Sequence, residues 1–215
     1  MRQKITFIFM CIFVCTWVST LLALPTSTKM STNGSKEEMK VMDDKKVLTD
    51  TVKIKTISIV DSIKNKLIEE TENYIFRRFP RANKKVPTSI VENGLEHDID
   101  IMFMMAQTKV ETCFGTAGAG RETSRRSLFG VANRRYASYE KAIEDYIAIL
   151  KKSYLTKGRT EKHLMSKYTT TRGGRYASDP KYEVSLKAAY SEINKMTNIK
   201  KLQNEYLKYK NQEEL

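Results

Sequence analysis

The chain has 215 residues, a formal net charge of +13, 29% charged residues and few Gly or Pro. That suits one modest domain with appendages, and a partner or surface of negative charge. The absence of a CxxC pair, an HxxxH pair, a Walker loop or a GxGxxG segment, with only two histidines, argues against zinc-built and nucleotide-binding classes.

Arg2 and Lys4 precede an uncharged apolar run over residues 5–24. It is long enough to cross a bilayer once. Residues 1–24 therefore read as an export address, with a signal-anchor slightly favoured over a signal peptide cleaved near Ala23. The body is expected outside the cytosol, membrane-anchored and facing the periplasm or cell wall, or secreted if the address is removed. That location weighs against nucleic acid as the partner of the positive charge. Residues 25–56 are polar and mixed in charge and predict a tether. The folded body is expected over 57–197, with a charged tail over 198–215.

Within the body, helical spacing of Ile63, Leu67, Ile68, Tyr74 and Ile75 predicts a helix over 61–78, capped by Asp61 or Ser62 and ended by Pro80. Residues 81–87 read as a basic loop. A short helix from Thr88 or Ser89 to Glu92 follows, closed by Gly94. Residues 98–116, DIDIMFMMAQTKVETCFGT, then predict a helix that is apolar nearly all round and so buried, with Gly115 as its stop. A glycine-rich loop, 115–120, leads to the apolar segment SLFGV, 127–131. Residues 137–150 predict a helix with Tyr139, Ala142, Ile143, Tyr146, Ile147 and Leu150 on one face, and 160–168 a shorter one. Residues 180–194 predict another, with Asp179 as N-cap and Pro180 at its first position. The tail over 200–215 is helix-prone but weakly amphipathic. Few runs alternate with period two, so the fold expected is mainly α.

One residue stands out. Glu111 is the only acidic side chain in the second half of the apolar helix, in its last turn. There the helix dipole opposes a carboxylate, and burial adds to the effect, so both predict a raised pKa. A carboxylic acid held protonated near neutral pH suits a general acid for glycosidic-bond cleavage. The plain alternative is a carboxylate that reaches solvent or pairs with Lys109 or with an arginine of the following loop. Cys113 is the lone cysteine of the body; with neither histidine near it in sequence, it reads as packing rather than as a nucleophile.

Four segments, in order, resemble the glucosaminidase family of peptidoglycan hydrolases, whose fold is lysozyme-like. AQTKVETCFGT, 106–116, resembles the helix that bears the family's general-acid glutamate and implies that role for Glu111. SLFGV resembles the segment lining the cleft. RRYASYEKAIEDYIAIL, 134–150, resembles the family's basic-aromatic and helix pattern, and RYASDPKYEVSL, 175–186, its tyrosine–Asp-Pro–tyrosine segment. The last implies a cleft role for Tyr176 and structural roles for Asp179, Pro180 and Tyr182. The resemblance covers roughly 89–194 and implies a helical domain with a reduced or absent β-lobe. Its substrate would be the glycan strand, with no metal or organic cofactor. Gln107, Phe129, Tyr136 and Tyr176 are the expected substrate contacts.

In one respect the chain departs from the family. Many members carry a second acidic residue on a hairpin between the two middle segments, and here only Ala132 and Asn133 separate them. Glu122 is the nearest substitute, with a salt bridge to Arg121, Arg125 or Arg126 as its alternative use. With Glu111 alone, either the substrate's acetamido group or a sugar 6-hydroxyl would attack the anomeric carbon. The competing reading is a wall-binding protein that keeps the fold without turnover.

Overall fold

The computed structural model describes residues 58–121, 125–131, 134–166, 176–179 and 181–213. The chain divides into two units, Met1–Lys45 and Lys46–Leu215, and all the described residues belong to the second. The export address, the tether, Glu122 and Pro180 lie outside the described residues. Among those described, regular structure is entirely helical, and no helix is long and apolar enough to cross a membrane.

The elements are α1 (58–78), α2 (Lys85–Glu96), α3 (Ile101–Thr112), a single turn α4 (Gly118–Arg121), α5 (Tyr139–Ile149) running into a π-helical turn (Leu150–Tyr154), a short α6 (Glu161–Leu164), α7 (Tyr182–Met196) and α8 (Ile199–Glu213). α3 is the axle. Every residue from Ile101 to Thr108 is buried, and the helix packs against α2, α4, α7 and α8. A helix apolar on all sides is stable only when other helices surround it, which is what α3 finds.

Both ends of α3 are built by specific groups. Asp100 caps the start, its carboxylate accepting from Phe103 N at 3.1 Å. Asp100 in turn accepts from the Tyr190 hydroxyl at 2.7 Å, and its own N–H donates to Glu161 at the head of α6. At the other end the helix stops at Cys113, two residues before the predicted glycine. Cys113, Phe114 and Gly115 all take positive φ, and Phe114 N returns to Thr108 O. Cys113 is half-exposed in that turn rather than packed in the core.

Other boundaries also move. α1 already runs at 58, so Asp61 and Ser62 are helix interior; Ile59 extends the apolar face by one turn. α2 is longer than the short helix predicted. Pro87 falls in its first turn, where a missing N–H costs no hydrogen bond. Gly94 stays inside it because a Cβ there would lie 2.7 Å from Ile101 Cγ1, so the glycine lets α2 approach the start of α3. α7 starts two residues late, at Tyr182, with Asp179 accepting from Lys181 N at 2.8 Å just ahead of it. The segment read as a tail is α8, and it docks on the body. Gln203 is buried, donates to Ile99 O at 2.8 Å and accepts from Ile101 N at 3.0 Å.

Candidate active site

Glu111 is the penultimate residue of α3 and is half-buried. Burial is the main cause that raises its pKa above the ordinary carboxylate value; the Tyr182 hydroxyl nearby opposes it. The Lys109 ion pair considered from sequence does not form. Lys109 lies on another face of α3 and binds Glu192 of α7, which also pairs with Arg78 of α1. Arg126, from the following loop, donates instead to the carbonyls of Tyr136 and Ala137. Glu111 is thus left desolvated at the end of a helix whose dipole disfavours its charge.

The SLFGV segment closes over this end of α3. Thr112, fully inside, donates its hydroxyl to Leu128 O at 2.8 Å and accepts from Gly115 N at 3.1 Å. That tie sets Gly130 against the carboxylate. A Cβ on Gly130 would overlap Glu111 Oε2 and lie 2.8 Å from its Cδ, and Gly130 sits at φ +63°. Only a glycine lets both the backbone turn and the carboxylate occupy this place.

Two tyrosines, Tyr176 and Tyr182, stand near the acid, and Gln107 links Tyr176 to a third, Tyr146. Gln107 is one turn before Glu111 on α3 and is buried. It accepts from the Tyr146 hydroxyl of α5 and donates from Nε2 to the Tyr176 hydroxyl. Tyr176 and Tyr182 lie with ring centroids 5.9 Å apart, and both are close enough to Glu111 to be influenced by its charge. The Tyr182 hydroxyl is buried and, although near enough to Glu111 to shift it, completes no hydrogen bond by distance and angle. Burial pushes the pKa of all three tyrosines up, so all three are neutral hydroxyls at physiological pH.

The remaining sequence candidates are Phe129 and Tyr136. Phe129 is 4% exposed and stacks flat on Tyr146, centroids 3.7 Å apart and planes within 1°, so that face of its ring meets a tyrosine. Tyr136 is half-buried in the loop before α5, bonded to Asp145 at 2.6 Å. Its pKa is pushed up to about 12 by burial and by that carboxylate. It lines an open hollow with Arg134, Arg135 and Lys141. Among the described residues, no three His, Cys, Asp or Glu side chains converge as a metal site. Thr112, Gly130 and Tyr146 were not singled out from sequence, although each lies in a segment the resemblance marked. Only the glycine carries a local signal, following an apolar pair just as the chain must turn.

A carboxyl whose pKa is raised by burial suits proton transfer to a glycosidic oxygen, which points to the glycoside hydrolases. Comparison with known families narrows the class: residues 88–195 match the Glucosaminidase family, described as mannosyl-glycoprotein endo-beta-N-acetylglucosaminidase. The match spans just over half of the chain, and the chain belongs to that family of peptidoglycan hydrolases. No curated protein matches the chain significantly.

Proposed function

We propose that the chain cuts a β-1,4 bond of the peptidoglycan glycan strand as an endo-β-N-acetylglucosaminidase, with Glu111 as general acid. The observation that carries this reading is the half-buried Glu111 carboxyl, raised in pKa by burial and seated against Gly130. In its protonated form it donates to the bridging oxygen as the bond to the anomeric carbon breaks, and the leaving sugar departs as an alcohol. The carboxylate then left behind recovers a proton from the water that completes hydrolysis.

Glu122, the second carboxylate considered from sequence, lies outside the described residues. Among the described residues, no second carboxylate contributes to the shift of Glu111. A route in which the substrate's own acetamido oxygen attacks the anomeric carbon needs one acid/base and a shaped site, and fits this arrangement. Attack by a sugar 6-hydroxyl makes the same demands.

The test is Glu111→Gln on a peptidoglycan zymogram. Clearing is expected to vanish while the far-ultraviolet circular dichroism is unchanged; equal clearing by the two proteins would remove Glu111 as the acid. Mass spectrometry of borohydride-reduced products then names the bond. Reduced glucosamine ends support the proposal, whereas reduced muramic ends mean a lysozyme and anhydro-muramic ends a transglycosylase. A wild type that clears no wall type, and no mannosyl-glycoprotein glycan, would be a binding protein.

A further inference from the structure

The turn that follows Glu111 runs against its own sequence. Nothing in Thr112, Cys113 or Phe114 stops a helix, yet Cys113 and Phe114 take φ of +48° and +56° before Gly115 is reached. Left-handed backbone is costly for an L residue, above all a bulky one, and persists only where the surroundings enforce it. Here the Phe114 ring enforces it. It is fully buried, with the Phe79 ring 5.1 Å away and the Tyr74 ring edge-on at 6.2 Å. Tyr74 is held in turn, its hydroxyl donating to Glu192, which Lys109 and Arg78 grip. Were α3 to continue, Phe114 would fall three residues past Glu111 and seven past Gln107, on their face of the helix. Its ring would then cover the acid. The left-handed turn sends the ring to Tyr74, on the side of Lys109, and folds the chain back so that Gly115 lies against Leu128. The SLFGV segment takes up the vacated end of α3, which is where Gly130 meets the Glu111 carboxylate.

We propose that Phe114 is a positioning residue: by burying its ring against Tyr74 and Phe79 it enforces the left-handed turn that ends α3 at the acid and seats the Glu111 carboxylate against Gly130. The proposal rests on the reading of Glu111 as the acid, on which Phe114 acts only through the backbone. Without the ring the chain regains its helical turn, the SLFGV segment lifts, and water reaches the carboxylate. Burial is the main cause that raises the pKa of Glu111. The titratable groups that face it, Tyr176 and Tyr182, are both neutral, and among the described residues no lysine or arginine contributes to its shift. Wetting the carboxyl therefore lowers its pKa toward the ordinary value.

The experiment titrates the Glu111 carboxyl by NMR in the full chain, with Glu111→Gln to assign its signal. In parallel, kcat/KM is measured on a soluble peptidoglycan oligosaccharide. Phe114→Ala removes the anchor but still asks an L residue to be left-handed. Its Glu111 midpoint is expected to fall below that of wild type, with kcat/KM about tenfold lower, the order of one left-handed penalty. Phe114→Gly removes even more packed volume but accepts the left-handed backbone readily. It is expected to keep its midpoint nearer to wild type and several times the activity of the alanine variant. Packing alone predicts the reverse order, because glycine leaves the larger cavity. Phe79→Leu loosens the clamp from the α1 side and serves should Phe114→Ala fail to fold; its midpoint is expected to fall by less. Melting temperatures that drop while every midpoint stays at the wild-type value, or a glycine variant no better than the alanine one, overturn the proposal. The acid is judged separately. If Glu111→Gln is fully active while the Phe114→Ala midpoint falls, the acid falls and the seating by Phe114 stands. If Glu111→Gln is inactive while the midpoints stay put, the acid stands and the role of Phe114 falls.

Discussion

Gly130 fixes where the Glu111 carboxylate can stand. Any Cβ there overlaps Oε2, so the carboxylate must swing away from its place at the end of α3. Gly130→Ala is expected to lower kcat/KM by about 100-fold, since a displacement near 1 Å at a reacting group costs on that order. Gly130→Asn separates this from backbone strain, because asparagine tolerates a positive φ better than alanine but carries the same Cβ. Equal losses in both variants mean displacement of the acid; an active asparagine variant would mean strain alone. Tyr182 acts in the other direction, on the proton. Its hydroxyl favours the ionised carboxylate against the effect of burial, so Tyr182→Phe should raise the Glu111 pKa further. A general acid must be protonated to work, and the alkaline limb of the kcat profile is expected to move to higher pH. A limb displaced to lower pH would show that the hydroxyl does not face the carboxylate. Glu111, Gln107 and Tyr176 were singled out from sequence, by charge position, helical spacing and resemblance. Thr112, Gly130 and Tyr146 lie in recognised segments but were not singled out, because their contacts cross a loop or join two helices, and local spacing does not record such contacts.

At the scale of elements, the helices read most accurately are those held by apolar periodicity. α3 and α5 follow their three- and four-residue spacing, and the buried faces are those the spacing marks. The errors lie where a polar or steric contact decides. Gly94 looked like a helix stop and is an interior close approach. α8 looked like a charged tail, yet it packs Ile199, Leu202, Tyr206 and Tyr209 on the core and adds an amide anchor, Gln203, to which hydrophobic periodicity is blind. That anchor makes a prediction. Gln203 supplies a donor and an acceptor to two backbone groups at the entry to α3, one of them an N–H of the helix's first turn that has no partner within the helix. Gln203→Ala leaves both buried, and is expected to cost about 2 kcal/mol in urea unfolding, a value between one and two lost buried hydrogen bonds. A midpoint unchanged from wild type would show α8 to be dispensable. The result matters for the site, because α8 braces the start of the helix whose far end carries Glu111.

Over the whole molecule the formal net charge is +13, and a glycan strand bearing peptide stems is anionic. Charge of this kind acts on encounter and retention rather than on the chemical step. Some of the basic groups are committed internally: Arg134 to Asp145, Lys109 and Arg78 to Glu192. Arg135 is exposed and lines the open hollow beside α5, where Arg134 and Lys141 are paired with Asp145 and Glu144. Exposed charges are screened over about 10 Å at 0.1 M salt and about 3 Å at 1 M. Sedimentation of the protein with intact walls should therefore weaken steeply as salt rises across that range. Turnover of a short uncharged oligosaccharide should stay flat, because a half-buried acid beside neutral tyrosines, acting on an uncharged substrate, offers salt little to screen. Arg135→Glu is expected to reproduce part of the salt effect at low ionic strength, with kcat on the short substrate unchanged. Equal salt sensitivity of the two substrates would place the charged contact inside the reacting site instead of on the surface that gathers the wall to it.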